Sequence, residues 1–205
     1  MKVSEFWIEQ INYQTAKPFV KKWHYSESVK GLHVSFSFGL YTSDGKFGLP
    51  KMLGVMLYGV PAMPDVSKKY CPDEPEVVLE LNRLCCIDDT PKNTESYFIG
   101  QTMKWIKRNS KYKVILSFAD PAEGHEGTIY KATNFIHKGM TAGANALYVD
   151  GERLHQRMLT KKCPKGDEIR RRIKDGNDEN IWKEKLPPKH VYIYYLDKRL
   201  QRKYE

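Results

Sequence analysis

Residues 114–134, VILSFADPAEGHEGTIYKATN, constrain the fold more than any other stretch of the chain. The apolar run Val114, Ile115, Leu116 reads as a buried strand. It stops at Ser117, Ala119 and Asp120, then passes through Pro121, Gly124, His125 and Gly127 into a helix-like segment with Tyr130 and Asn134. Small and polar residues at the carboxyl end of a buried strand, beside a helix start, form the usual ligand crevice of α/β folds. A plain connection needs fewer reactive side chains. The stretch reads as the edge of an active site.

The rest of the chain alternates in the same style. Residues 3–8 are expected as a first strand, and 15–23 as a helix capped by Thr15. Residues 32–41 and 52–58 flank the turn 42–46 as a hairpin. A Pro-rich loop is expected over 61–75, a strand over 77–87, and a helix over 97–108 capped by residues 93–96. A strand at 114–118 precedes a helix at 127–135 and a weaker strand at 140–149. Residues 153–174 read as mostly helical, broken at Cys163-Pro164, followed by a turn at 175–178. A last strand at 189–196 and a basic tail at 197–205 complete the reading, which contains no internal repeat. One α/β domain over 1–205 is expected.

Composition excludes several classes. No apolar run approaches the roughly 18 residues of a membrane helix. The start, MKVSEFWIEQ, lacks the apolar core of a signal peptide, so a cytoplasmic protein is expected. Cys71, Cys85, Cys86 and Cys163 have no CxxC spacing, which points to reduced thiols rather than zinc or disulfides. Cys85 and Cys86 should face opposite sides of their strand. No HxH or HExxH spacing exists, and no metal is expected. Charge is concentrated: residues 153–205 carry 16 Lys and Arg against 8 Asp and Glu, nearly all of the net +9. Such a segment suits a polyanion, and Lys161, Lys162, Arg170, Arg171 and Arg172 are the expected clamp on a DNA backbone.

The element order resembles the GNAT acyltransferase fold, a central mixed sheet flanked by helices in which two strands splay apart around an acyl donor. Strands 77–87 and 114–118 would be that pair. The glycine-rich pyrophosphate loop of that fold is missing: residues 87–96 read IDDTPKNTES, with three acids and no glycine. Four motifs narrow the resemblance: His24-Tyr25-Ser26, Leu57-Tyr58-Gly59-Val60-Pro61, Glu80-Leu81-Asn82-Arg83-Leu84, and Ser117 to Asp120 continuing through Gly124-His125-x-Gly127-x-x-Tyr130-x-x-x-Asn134. In this order and spacing, over residues 23–148, they resemble the Mom family of phage DNA modification proteins. The resemblance implies a GNAT-like enzyme that converts adenine in double-stranded DNA, at N6, to a carbamoylmethyl (glycinamide-type) derivative and so protects phage DNA from host restriction. It also implies action in the host cell cytoplasm.

Adenine N6 is a poor nucleophile, so the chemistry needs a base, an acid and a held ring. Asp120 is the expected base, with an N-cap as its competing role. Tyr130 is the expected acid, with a core aromatic as the alternative. Strand alternation sets Glu80 and Asn82 on one face and Leu81 and Arg83 on the other, which would aim Glu80 into the cleft. His24 and Tyr25 suit contact with a flipped base, and Ser117 completes the expected catalytic set. Ser26, Tyr58, Arg83, Asn93, Glu95, Ser96, Gly124, His125, Gly127 and Asn134 are the expected substrate and donor contacts, the glycines allowing close backbone approach. The donor is expected to be acetyl-coenzyme A or an aminoacyl carrier such as glycyl-tRNA. Two other classes remain open at this stage: a GNAT N-acyltransferase acting on a small amine or protein, and a non-catalytic DNA-binding accessory protein.

Overall fold

A computed structural model describes residues 2–29, 31–44, 46–154, 159 and 164–205. In chain order the elements are β1 Trp7–Gln10, α1 Tyr13–Trp23, β2 Val34–Thr42, β3 Lys51–Gly59, α2 Pro64–Tyr70, β4 Val78–Cys86, α3 Thr94–Asn109, β5 Val114–Ala119 and α4 Thr128–Ala132. Then come β6 Ile136–Met140, β7 Ala144–Val149, β8 Glu152–Leu154, α5 Pro164–Asp175, β9 Ile181–Leu186, β10 His190–Tyr195 and α6 Lys198–Tyr204. The central sheet runs β1-β2-β3-β4-β5-β10-β6, and a small second sheet runs β8-β7-β9.

Among the described residues only β4 and β5 pair in parallel, through Val78–Val114, Leu79–Ile115 and Glu80–Leu116. Past Glu80 the two strands part, leaving a gap at their carboxyl ends. A second irregularity sits beside it. Tyr58 pairs with Leu81 and Leu57 with Arg83, so Asn82 is the extra residue of a β-bulge. The bulge inverts the side-chain alternation. Leu79 and Leu81 pack on the α3 side, and after the bulge Leu84 and Cys86 do so too. Glu80 and Arg83 therefore share the other face, which corrects the strict period-two expectation. Cys85 packs on the α1 side, opposite Cys86 as expected.

Two layers of side chains hold the sheet. Phe98, Ile99 and Ile106 of α3 are fully buried against Phe38, Tyr58 and Ile115. Ala16 and Val20 of α1 cover Val55 and Leu57 from the other side. Each such large apolar side chain contributes about 1.5–3 kcal/mol when fully buried.

Several local readings change. The N-cap of α1 is Asn12, whose side chain accepts the Gln14 N–H at 2.8 Å. A 3-10 turn at Val3–Glu5 precedes the first strand. The Pro-rich stretch 61–75 contains α2, with Pro64 opening it. Residues 136–149 form two strands in different sheets. The stretch beginning at Arg153 opens in β8 rather than a helix, β9 was not anticipated, and the basic tail is the helix α6. Among the described residues no helix is long and apolar enough to cross a membrane.

Candidate active site

The gap between β4 and β5 holds a cavity of about 220 Å³. Its walls come from the α1 end (His24, Tyr25), the bulged part of β4 (Leu81 to Leu84), the α3 start (Glu95), the β5 end (Phe118 to Asp120) and the loop into α4 (Gly124 to Tyr130). The bulge, the parting strands and two helix ends converge there.

His24 is almost fully buried, 6% exposed. Its Nδ1 accepts the Ser26 backbone N–H at 3.1 Å, and the Ser26 hydroxyl stands 2.8 Å from the same atom. Burial, reinforced by the charges of Arg83 and His125, lowers its pKa to about 4. At neutral pH the ring is uncharged, and with Nδ1 accepting, its proton is on Nε2. Tyr25 is half exposed, its ring 4.3 Å from that of His24 and 5.0 Å from that of His125. Burial pushes its phenol up, against the pull of Lys189 and Arg83.

Asp120 is engaged at both oxygens. Oδ1 accepts the Ala122 N–H at 3.2 Å, capping the turn Pro121–Glu123. Oδ2 pairs with Lys189 Nζ at 2.7 Å. The cap role and a place on the cavity wall therefore coexist. Tyr130, 7% exposed, has its hydroxyl 2.8 Å from Ser117 Oγ. Burial pushes this phenol up to about 12, opposed by the Ser117 bond. Ser117 has one proton and two acceptors, Tyr130 and the Leu81 carbonyl at 3.2 Å. When Ser117 donates to Tyr130, the phenol's own proton is free for the cavity.

Arg83 lines the cavity and makes its hydrogen bonds to carbonyls, Ser28 O at 3.1 Å and Asn82 O at 2.6 Å. Among the described residues it has no ion-pair partner. Burial pushes the Glu80 carboxyl up, with the Asn82 side chain, Arg83 and Lys189 opposing.

The sequence expectations divide. His24, Tyr25, Arg83, Glu95, Asp120, Gly124, His125, Gly127 and Tyr130 meet on the cavity wall. Glu80 does not line it, and Ser26 and Ser117 reach it only through His24 and Tyr130. Asn93 and Ser96 stand off the wall; Asn93 holds a left-handed φ of 71° at the start of α3 without a side-chain cap bond. Tyr58 is not a ligand contact: it is wholly buried, its hydroxyl 2.8 Å from Thr102 Oγ1. Asn134, at φ 61°, faces a separate cleft with Lys104 and Tyr194. Gly127 lines the cavity and also serves packing, since a Cβ there would lie 2.2 Å from the Tyr192 ring.

The expected cationic clamp also changes. Lys161 and Lys162 lie outside the described residues. Arg170 pairs with Asp167 and donates to the Leu159 carbonyl. Arg172 is bound by two carboxylates, Asp150 through both Nη atoms and Asp178 at 2.6 Å. Arg172 ties α5 to the small sheet, and of these three arginines only Arg171 stands exposed. Sequence reasoning missed Lys189 and Asn82. The antiparallel pairing His190–Ala119 brings Lys189 beside Asp120, a signal that needs the strand order. Among the described residues no three His, Cys, Asp or Glu side chains converge to hold a metal.

A family model described as the Mom protein family matches residues 5–205. The chain is 27% identical over 202 residues to Methylcarbamoylase mom of Escherichia phage Mu, covering 97% of this chain and 79% of that one. Two solved structures share the architecture at 8% identity. Spermidine/spermine N-acetyltransferase SpeG from Vibrio cholerae has a TM-score of 0.51 over 98% of each chain. Arabidopsis thaliana NAA60, in complex with acetyl-CoA, has 0.53 over 93% of this chain and 98% of its own. These likenesses establish a GNAT-type α/β fold.

Proposed function

Because the chain belongs to the Mom protein family, we propose that it is a transferase that modifies adenine in phage DNA, placing a carbamoylmethyl-type group on N6. The convergence of Asp120, Tyr130 and the His24, Tyr25 and His125 rings on one cavity carries this reading. The related phage Mu protein, named a methylcarbamoylase, supports the reaction type.

A base inside a duplex is out of reach of a walled pocket, so the adenine is drawn out of the stack. Tyr25 and His125 offer it aromatic contact, and His24 Nε2–H donates to a ring acceptor. A carboxylate has about four lone-pair sites, so Asp120 keeps its two existing partners and still takes the N6 proton. Tyr130 returns a proton to the leaving group, oriented by Ser117. Its raised pKa keeps it protonated at neutral pH. Arg83 is the cation available for a phosphate of the target nucleotide.

The residues do not fit a coenzyme A pyrophosphate at the α3 start. Asp88 and Asp89 are exposed there, and Glu95 puts a third carboxylate on the cavity wall. A carbamoylmethyl group joins N6 through its CH2 carbon, so the donor carries that carbon on a leaving group that Tyr130 protonates. Acyl transfer from an aminoacyl ester would instead leave an N6 amide. A donor that needs no pyrophosphate cradle suits the site better. The modified base then blocks host restriction enzymes. DNA from bacteria expressing the chain should resist adenine-sensitive restriction enzymes, and DNA from cells expressing Asp120→Asn should be cut. Ordinary cutting beside abundant folded wild-type protein contradicts the proposal.

A further inference from the structure

We propose that Phe47, at the tip of the β2–β3 hairpin, is a wedge that enters the DNA base stack as the target base leaves it. The inference rests on DNA as the substrate and adds how a duplex is opened. The tip reads Phe47-Gly48-Leu49-Pro50. It carries two large apolar side chains into solvent, Phe47 at 98% exposure and Leu49 at 63%. Phe47 also holds a left-handed backbone, φ 61°, costly for a bulky residue. Exposure and strain together gain nothing within this chain, and their combination points outward.

The mount and its position matter equally. The hairpin consists of two nine-residue strands, and β3 is buried from Leu53 to Gly59, so the tip is held by rigid elements. Gly54 pairs with Cys86, and Ile87 N–H donates to the Leu53 carbonyl at 2.8 Å. The tip therefore projects past the carboxyl end of β4, the end of the sheet where the cavity opens. The end of α1 stands at that same end of the sheet. Its Trp23, 37% exposed, shares a shallow cleft with Lys51, Ile87 and the carboxylates Asp88 and Asp89, which three lysines outnumber, and Tyr25, 50% exposed, leads into the cavity. Exposed Lys21, Lys22 and Lys51 interleave with these aromatic and apolar side chains. Cations for phosphates beside rings for bases is the pattern that nucleic acid requires.

A base pulled from a duplex leaves a gap, and apolar side chains inserted at such steps hold kinked or opened DNA. A single strand has no base pair to break and no partner strand to hold apart, so its bases leave at the least cost. The test uses purified protein, a bacterial extract as donor source, and one long circular DNA in single-stranded and duplex forms, read by nucleoside mass spectrometry. Wild type should modify both forms. Phe47→Ala should lose about tenfold or more on the duplex while keeping its single-strand rate, and Phe47→Trp should restore the duplex. Wild-type duplex rates in Phe47→Ala overturn the wedge and leave the DNA reading standing. Equal loss on both forms also overturns it. If wild type modifies neither form, the DNA reading fails and the wedge with it.

Discussion

Lys189 Nζ stands 2.7 Å from Asp120 Oδ2, so a residue at the start of β10 holds the carboxylate at the end of β5. The pair is partly exposed, the lysine side chain at 44%, which limits its worth to stability. Its role is orientation. Lys189→Met should lower the modification rate about tenfold or more and shift the melting temperature little. Initial rates and a thermal melt check both halves.

Tyr130→Phe removes the proposed acid and keeps the ring packed on Phe135 and Tyr192. The rate should fall about a hundredfold or more with little loss of stability. Ser117→Ala should cost less, since it orients the phenol without touching substrate. A Tyr130→Phe rate near wild type removes the acid role.

Fold and site were legible to different depths. The strand 114–118, ending in small and polar residues, already located the cavity edge, and the hairpin followed from local pattern, while the parting strands came only with the resemblance to the GNAT fold. The Asn82 bulge was not legible, because an extra residue shows only in the pairing with β3. Strand β9 was hidden because Trp182, Lys183, Glu184 and Lys185 lie exposed and carry no apolar alternation. The Arg172 partners come from Asp150 and Asp178, 22 and 6 positions away, so composition counted a charge that folding neutralises.

Gly127→Ala should destabilise the protein by about 2–4 kcal/mol. The φ of 75° strains any Cβ, and the Tyr192 ring occupies its place at 2.2 Å. Tyr192 is itself fixed by donating to the Glu126 carbonyl at 2.8 Å. Chemical denaturation measures the loss, and a variant of native stability contradicts the packing.

The folded pKa of His24, about 4, lies below its ordinary 6.5. Between those values the unfolded chain binds more protons, so this residue's contribution is complete above pH 6.5 and lost as pH falls toward 4. His24→Asn should flatten the pH dependence of the urea midpoint across that window. An unchanged slope assigns the acid sensitivity elsewhere.

Arg172→Ala should lower the melting temperature by freeing Asp150 and Asp178, while leaving the salt dependence of DNA binding as it is. Arg171→Ala should leave the melting temperature alone. Thermal melts and fluorescence anisotropy against salt separate a fastener from a phosphate contact.

Nucleoside mass spectrometry on DNA from bacteria expressing the chain, beside cells expressing Asp120→Asn at equal soluble level, tests the central claim most directly. The account predicts a heavier deoxyadenosine in the first sample and none in the second. Unaltered nucleosides in both, or the same heavy species in both, would contradict it.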